Sequence, residues 1–241
     1  MKNIMIALLL ALGVALSAEG AAGTGNDAVV QLLRSVIIED YVIYDRMQTF
    51  AEVMEDLCIR VDESRKPEQR PVNLVVRSKK YAGREKTPKM RGLEMPSASL
   101  YDILVTLEKR KDLLFRISGN VVFVVGPGVP LRNSFSETYG KCRVLNEQLD
   151  DIIFPIVNVE GFDIEGMIPF LREYISRFSP DGETVVISHT FTGREMEKMP
   201  PVTLNLRNVS LRGVLDCICF VTGCSYYIRP DKIVFFSKRK N

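Results

Sequence analysis

A single histidine, His189, stands among the 241 residues, and that count decides which side-chain chemistries the chain can host. Acyl transfer by a Ser-His-Asp or Cys-His set needs an imidazole to take the nucleophile's proton, so any such site must be built around His189. His189 follows an apolar run and precedes Thr190 and Thr192, a setting that predicts a hydrogen-bonded loop histidine. A hydrolase pairing His189 with an Asp or Glu is the one nucleophilic alternative. Carboxylate pairs can be drawn from Glu160, Asp163 and Glu165, or from Glu55 and Asp56. Acids at helix starts offset the macrodipole and acids further along serve solubility, so neither group predicts glycosidase chemistry. Gly126-Pro127-Gly128 is no phosphate cradle, because proline removes an amide and no Lys-Ser or Lys-Thr follows at the required spacing. No catalytic residue and no cofactor is expected.

Metal and redox chemistry fall to five cysteines, Cys58, Cys142, Cys217, Cys219 and Cys224. A zinc site on the last three lacks a fourth ligand and the tight turn such spacings need, so no metal is expected. Cys217 and Cys219, two apart on a helix, point to different sides, and the cysteines read as small buried hydrophobes. A bridge from Cys217 or Cys219 to Cys224 stays open at this level, and an odd number leaves at least one thiol unpaired. One charged feature rises above background. Between residues 77 and 91 lie Arg77, Lys79, Lys80, Arg84, Lys86, Lys89 and Arg91, against Glu85 alone. Such an excess can hold lipid headgroups, an anionic polysaccharide or an acidic partner, or it can be a solvated loop. The formal net charge of +2 names no partner, and no nucleic acid is expected.

The elements that would carry these residues are set by a repeat. Ser99 to Val125 recurs, without a gap, 111 residues later as Ser210 to Phe236, matching Ser99 with Ser210, Leu100 with Leu211, Leu104 with Leu215 and Ile117 with Ile228. Leu100, Ile103, Leu104 and Leu107, and likewise Leu211, Val214, Leu215 and Ile218, fall at i, i+3, i+4 and i+7, one apolar stripe along each helix. Each serine is a good N-cap, and Asp102 stands where a capping box wants an acid. Two β-rich runs follow each helix, broken by Ser118-Gly119-Asn120 and by Arg229-Pro230-Asp231, which predicts a hairpin in each copy.

Upstream, Thr24 to Leu33 reads as a short mixed lead-in, with a frayed helix as the alternative. Val36 to Ile43 reads as a strand, Thr49 to Glu52 as a capping box opening a helix with Phe50, Val53, Met54 and Leu57 inward, Val72 to Val76 as a strand, and Leu93 with Met95 as another. The second copy repeats the order with a strand at 152–159, a helix at 162–178 and a strand at 184–187. The alternating run Val202 to Leu206 follows as a further strand. Pro169 within that helix predicts a kink or a later start. The expectation is an α+β chain of two tandem small domains, 36–125 and 150–238, each β-α-β-β-α-β-β with two helices on small sheets. The Gly- and Pro-rich stretch from 126 to 149 is expected as a linker. Residues 1–22 have the layout of a secretory signal peptide: one lysine, an apolar run from Ile4 to Leu16, then small residues. Cleavage after Ser17, Ala18 or Ala22 fits. Export to the periplasm, or an equivalent compartment, is therefore expected, with a soluble mature chain.

The run VTLNLRNVSLRGVLDCICFVTGCSYYIRPDKIVFFS, Val202 to Ser237, resembles the short N-terminal domain shared by secretins and TonB-dependent receptors, in which a strand leads into an amphipathic helix and a closing strand pair. Gly92 to Val125 is similar in its leucine pattern but carries Met95-Pro96-Ser97 in place of the "LRN" segment. The resemblance spans roughly 36–125 and 152–237. It implies periplasmic placement and work done by protein contacts, in an adaptor or scaffold with an envelope protein partner such as secretion or transport machinery. A module binding envelope polymer or lipid through the basic loop is the alternative. No barrel or pore region is seen, so a channel or receptor is not expected.

Overall fold

The computed structural model describes residues 25–65, 69, 71–77, 89–131, 136–138, 148–179, 185–229 and 232–237. In chain order these form α1 (Gly25–Ser35), β1 (Ile37–Ile43), α2 (Phe50–Ser64), β2 (Asn73–Arg77), β3 (Leu93–Ser99), α3 (Leu100–Lys109), β4 (Leu114–Ser118) and β5 (Val121–Val125). Then come β6 (Ser136–Thr138), β7 (Ile153–Phe162), α4 (Ile164–Phe178), β8 (Val186–His189), the single turn α5 (Gly193–Met196), β9 (Val202–Ser210), α6 (Leu211–Thr222), β10 (Ser225–Ile228) and β11 (Lys232–Phe236). The class is α+β.

The same pairing scheme occurs in both halves. β1 and β3 form an antiparallel ribbon, as do β7 and β9. β2 runs parallel to β5, which pairs antiparallel with β4. In the same way β8 runs parallel to β11, which pairs antiparallel with β10. Equivalent positions even share a register, Tyr41 opposite Met95 and Val157 opposite Leu206. The chain enters α3 and α6 alike, with Leu100 N–H donating to Val36 O (2.9 Å) and Leu211 N–H to Ile152 O (2.8 Å).

Local chemistry starts each long helix. Thr49 and Glu52 close a reciprocal capping box on α2, the Thr49 hydroxyl accepting from Glu52 N–H (3.3 Å) and the Glu52 carboxylate from Thr49 N–H (2.5 Å). Ser99 and Ser210 accept from the amides of Asp102 (3.1 Å) and Gly213 (3.2 Å). Asp102 Oδ2 accepts from the Ser99 hydroxyl (2.6 Å) rather than from the Ser99 backbone N–H, so that cap is a side-chain pair and not a box. α4 starts two residues later than expected, at Ile164, because Phe162 stays in β7 and Asp163 caps the helix through Gly166 N–H (2.6 Å). Pro169 lies inside α4, which continues beyond it to Phe178 at the loss of one backbone hydrogen bond.

The lead-in, a frayed helix by sequence, is the helix α1, which buries Val29 and Leu33 and packs on α3, β3 and β4. The stretch 126–149 is more than a connection: β6 adds in parallel to the outer edge of β10, and Val129 and Leu149 are buried in the core. The linker length leaves open whether the halves pack or stand apart, and their cores pack. β5, Val-Val-Phe-Val-Val, is buried throughout. Strand alternation sends Val122 and Val124 into the core of the first half, and Val121, Phe123 and Val125, with Val75 of β2, into that of the second.

The joint between the halves as the candidate functional site

Helix α6 is the centre of the joint. An amphipathic surface helix buries one stripe, yet α6 buries Asp216, Cys217, Cys219 and Phe220 in addition to Leu211, Val214, Leu215 and Ile218. The expected stripe covers the sheets of its own half. Other faces meet the β2-β5-β4 sheet, where the Phe123 and Phe220 ring centroids lie 5.0 Å apart. Gly213 fits α6 onto its own half: a Cβ there would come 2.7 Å from Val209 Cγ2 of β9, while Val121 Cγ2 of the first half, at 3.6 Å, would be in ordinary contact.

Beside the apolar contact, two asparagines of the first half cap the outer edge of β9. Asn73, itself buried, donates through Nδ2 to Arg207 O (3.0 Å) and accepts at Oδ1 from Arg207 N–H (2.8 Å), so its carboxamide pairs with β9 as a strand backbone would. Asn120, in the β4–β5 turn, donates to Asn208 O, and Asn208 takes a left-handed φ of 50° there. These contacts leave β7, ten residues long, as the outer strand of its ribbon. Among the described residues β7 pairs only with β9, and it exposes Ile153, Ile156 and Phe162. In an antiparallel pair the residues opposite one another alternate between exchanging both backbone hydrogen bonds and pointing them outward. Because Arg207 directs its N–H to Asn73, the opposed Ile156, and with it Asn158, directs its own backbone groups away from β9.

One buried charge sits in the joint. Asp216 of α6 is 9% exposed, and Tyr226 OH of β10 donates to its Oδ1 at 3.0 Å. Burial pushes the Asp216 carboxyl up to about 6, against the opposing pull of the Tyr226 hydrogen bond and the guanidinium groups of Arg116 and Arg212, with Asp150 adding a small push upward. Arg116 belongs to β4, and its desolvation lowers its own pKa. Arg212 holds Asp150 through Nε at 2.8 and 2.9 Å. Tyr226 and Asp216 therefore tie helix to sheet within one half, while Arg116 brings a cation to the same carboxylate from the other.

A cleft of about 180 Å³ opens at the edge of the joint, lined by Asp62, Arg65, Val72, Asn73, Asn205 and Arg207 among others. Cys58 also lines it, and burial with the carboxylates of Asp62 and Glu55 pushes its thiol up to about 11.

Residues singled out by chemistry lie elsewhere. His189 ends β8 opposite Phe235 rather than sitting in a loop; its Nδ1 accepts from Phe191 N–H (3.3 Å) and its ring stacks on Phe191. Asp163 is the α4 cap, and Asp56 pairs with Arg60 along α2 (2.9 Å). Gly126 sits against the Phe50 ring, where a Cβ would come within 2.8 Å, and its N–H donates to Arg77 O (3.0 Å). Of the basic run, Lys79, Lys80, Arg84 and Lys86 lie outside the described residues. Arg77 lies over Gly223, Lys89 Nζ donates to Met47 O (2.8 Å), and Arg91 reaches Arg110 O and, at 3.5 Å, Asp112. Cys142 also falls outside the described residues. Among the described residues no three His, Cys, Asp or Glu side chains stand close enough to hold a metal ion, and no helix is long and apolar enough to cross a membrane.

Asn73 and Asn120 are the residues that sequence reasoning missed. In the sequence Asn73 stands within a strand and Asn120 within a turn, and nothing local marks either as a partner of β9. The apolar tract Cys217 to Val221 was the available sign that α6 is buried beyond its stripe. The chain matches no protein-family model, no curated protein and no solved structure.

Proposed function

We propose that this is a non-catalytic, exported cell-envelope protein, built from two units of the kind found at the N-termini of secretins and TonB-dependent receptors, and that it works as an adaptor or scaffold for an envelope protein partner. The observation that carries the reading is the asymmetry of the β7–β9 ribbon. Its β9 edge is closed by Asn73 and Asn120, while β7 keeps outward backbone groups and an apolar fringe. An extended segment of a partner can add to such an edge, taking affinity from backbone hydrogen bonds and selectivity from alternate side chains. The shared core supports the scaffold role, since it holds that edge on a body stiffened by both halves. Capture of an anionic polysaccharide or lipid by Lys79, Lys80, Arg84 and Lys86, with Arg77, Lys89 and Arg91, is the second reading, and the charge run in the sequence is what favours it.

The test is crosslinking in the envelope with three chains: unaltered, basic run neutralised, and Asn158→Pro. The proline removes one outward donor of β7 and spares the ladder to β9. The adaptor reading expects a specific protein adduct that survives neutralisation and is lost with Asn158→Pro. Recovery of anionic lipid or polysaccharide alone, and only with the charges present, replaces it with the second reading.

A further inference from the structure

We propose that Cys219 and Cys224 close to an intramolecular disulfide whenever the chain folds in the presence of a disulfide oxidant. The two sulfurs lie 3.3 Å apart, closer than ordinary van der Waals contact, and both residues are buried, at 0% and 2% exposure. A bond of about 2.05 Å needs them to approach by roughly 1.2 Å.

The helix stop brings them together. α6 ends at Thr222, and Gly223 turns the chain left-handed with φ 80°, its N–H donating to Cys219 O at 2.9 Å. In this type of ending the residue after the left-handed position packs against the helical residue five before it, which here places Cys224 on Cys219. Thr222 sets the side chain of Cys224. Its hydroxyl donates to Ile218 O at 2.8 Å, and its oxygen lies 3.0 Å from Cys224 Sγ. Cys217, two residues before Cys219, is turned to another face of α6, and burial together with Asp216 raises its thiol pKa. The 111-residue shift puts Glu108 and Leu113 at the matching positions of the first half, so the bridge belongs to the second half alone.

Closure is thiol–disulfide exchange. The thiolate of one cysteine attacks a small-molecule or protein disulfide, forms a mixed disulfide and releases one thiolate of the oxidant. The second cysteine then attacks the protein sulfur of that mixed disulfide and releases the other. Two protein thiols are oxidised, one oxidant disulfide is reduced to two thiols, and the two protons leave with them. Because both sulfurs are buried in the folded chain, exchange precedes burial or passes through opening of the α6 terminus.

The experiment is refolding of the full chain with and without glutathione disulfide, followed by unfolding, maleimide labelling and peptide mass mapping. Three labelled cysteines, Cys58, Cys142 and Cys217, are expected after oxidative folding, against five without oxidant. A crosslinked peptide pair of Cys219 with Cys224 is expected alongside them, and a Tm several degrees higher that falls back on reduction. Cys217→Ser keeps the bridge; Cys219→Ser and Cys224→Ser abolish it. Five labelled cysteines after oxidative folding, or a bridge from Cys217, would overturn the proposal. The test is made in solution and stands apart from whether the chain is exported.

Discussion

Replacing Asp216 by Asn tests how the joint is held, and the size of the effect follows from burial. In the folded chain the Asp216 carboxyl ionises at about 6, against an ordinary 3.8, with desolvation as the main cause. Since the folded value is the higher one, between pH 4 and 6 the folded state keeps a proton that the unfolded chain releases. Stability therefore falls as pH rises through that window and stays at the lower level above it. The gap between the two values corresponds to roughly 3 kcal/mol, or roughly 6–12 °C in Tm for a chain of this size. Asparagine still accepts from Tyr226 and does not titrate. It leaves Arg116 and Arg212 without this counter-charge, which shifts the variant's stability by an offset that barely varies across the window. Urea unfolding of both chains from pH 4 to pH 7 separates the two effects, because every other carboxylate contributes equally to both curves. The stability of Asp216→Asn relative to the unaltered chain is expected to climb by roughly 2 kcal/mol between pH 4 and pH 7, the remainder of the gap lying below pH 4. A flat difference curve would refute the reading of Asp216 as a desolvated carboxyl.

Phe123→Ala removes a fully buried ring that belongs to the first half and packs on Phe220 of the second, with an expected loss of about 3–5 kcal/mol. Hydrogen exchange should then show lowered protection in α6 as well as in β5; loss confined to β5 would mean the halves do not share a core. Asn73→Ala deletes both hydrogen bonds to Arg207, and urea unfolding should record a loss of about 2 kcal/mol. Gly213→Ala drives a Cβ into Val209 at an expected cost of about 1–3 kcal/mol. Part of that cost should return in the Gly213→Ala, Val209→Ala double variant, measured as a non-additive unfolding free energy.

The local elements were legible because they rest on local physics. The stripes of α2, α3 and α6, the caps at Thr49, Ser99 and Ser210, and the two hairpins each depend on residues a few positions apart, and the 111-residue repeat doubled the signals from Ser99 to Val125. Helix α1 shows in the sequence only as a frayed lead-in, because eleven residues present a short stripe whose worth depends on α3 and β4 being there to cover it. β6 was missed because three residues carry no period at all. The basic run shows the limit from the other side, since its net charge is plain in the sequence while the partners of Lys89 and Arg91 are backbone carbonyls and Asp112, which only folding brings near.

What the sequence by itself determined is the α+β class and the order of the longer helices and strands. The joint was decided by tertiary structure alone. A hydrophobic period reports that a face is buried and not what buries it, so the second covered side of α6 and the two-sided burial of β5 lay beyond it. Asn73 with Arg207, and Arg116 with Asp216, are separated by 134 and 100 positions. No local propensity links such pairs. Only the packing of one half on the other brings a carboxamide to a strand edge and a carboxylate out of water.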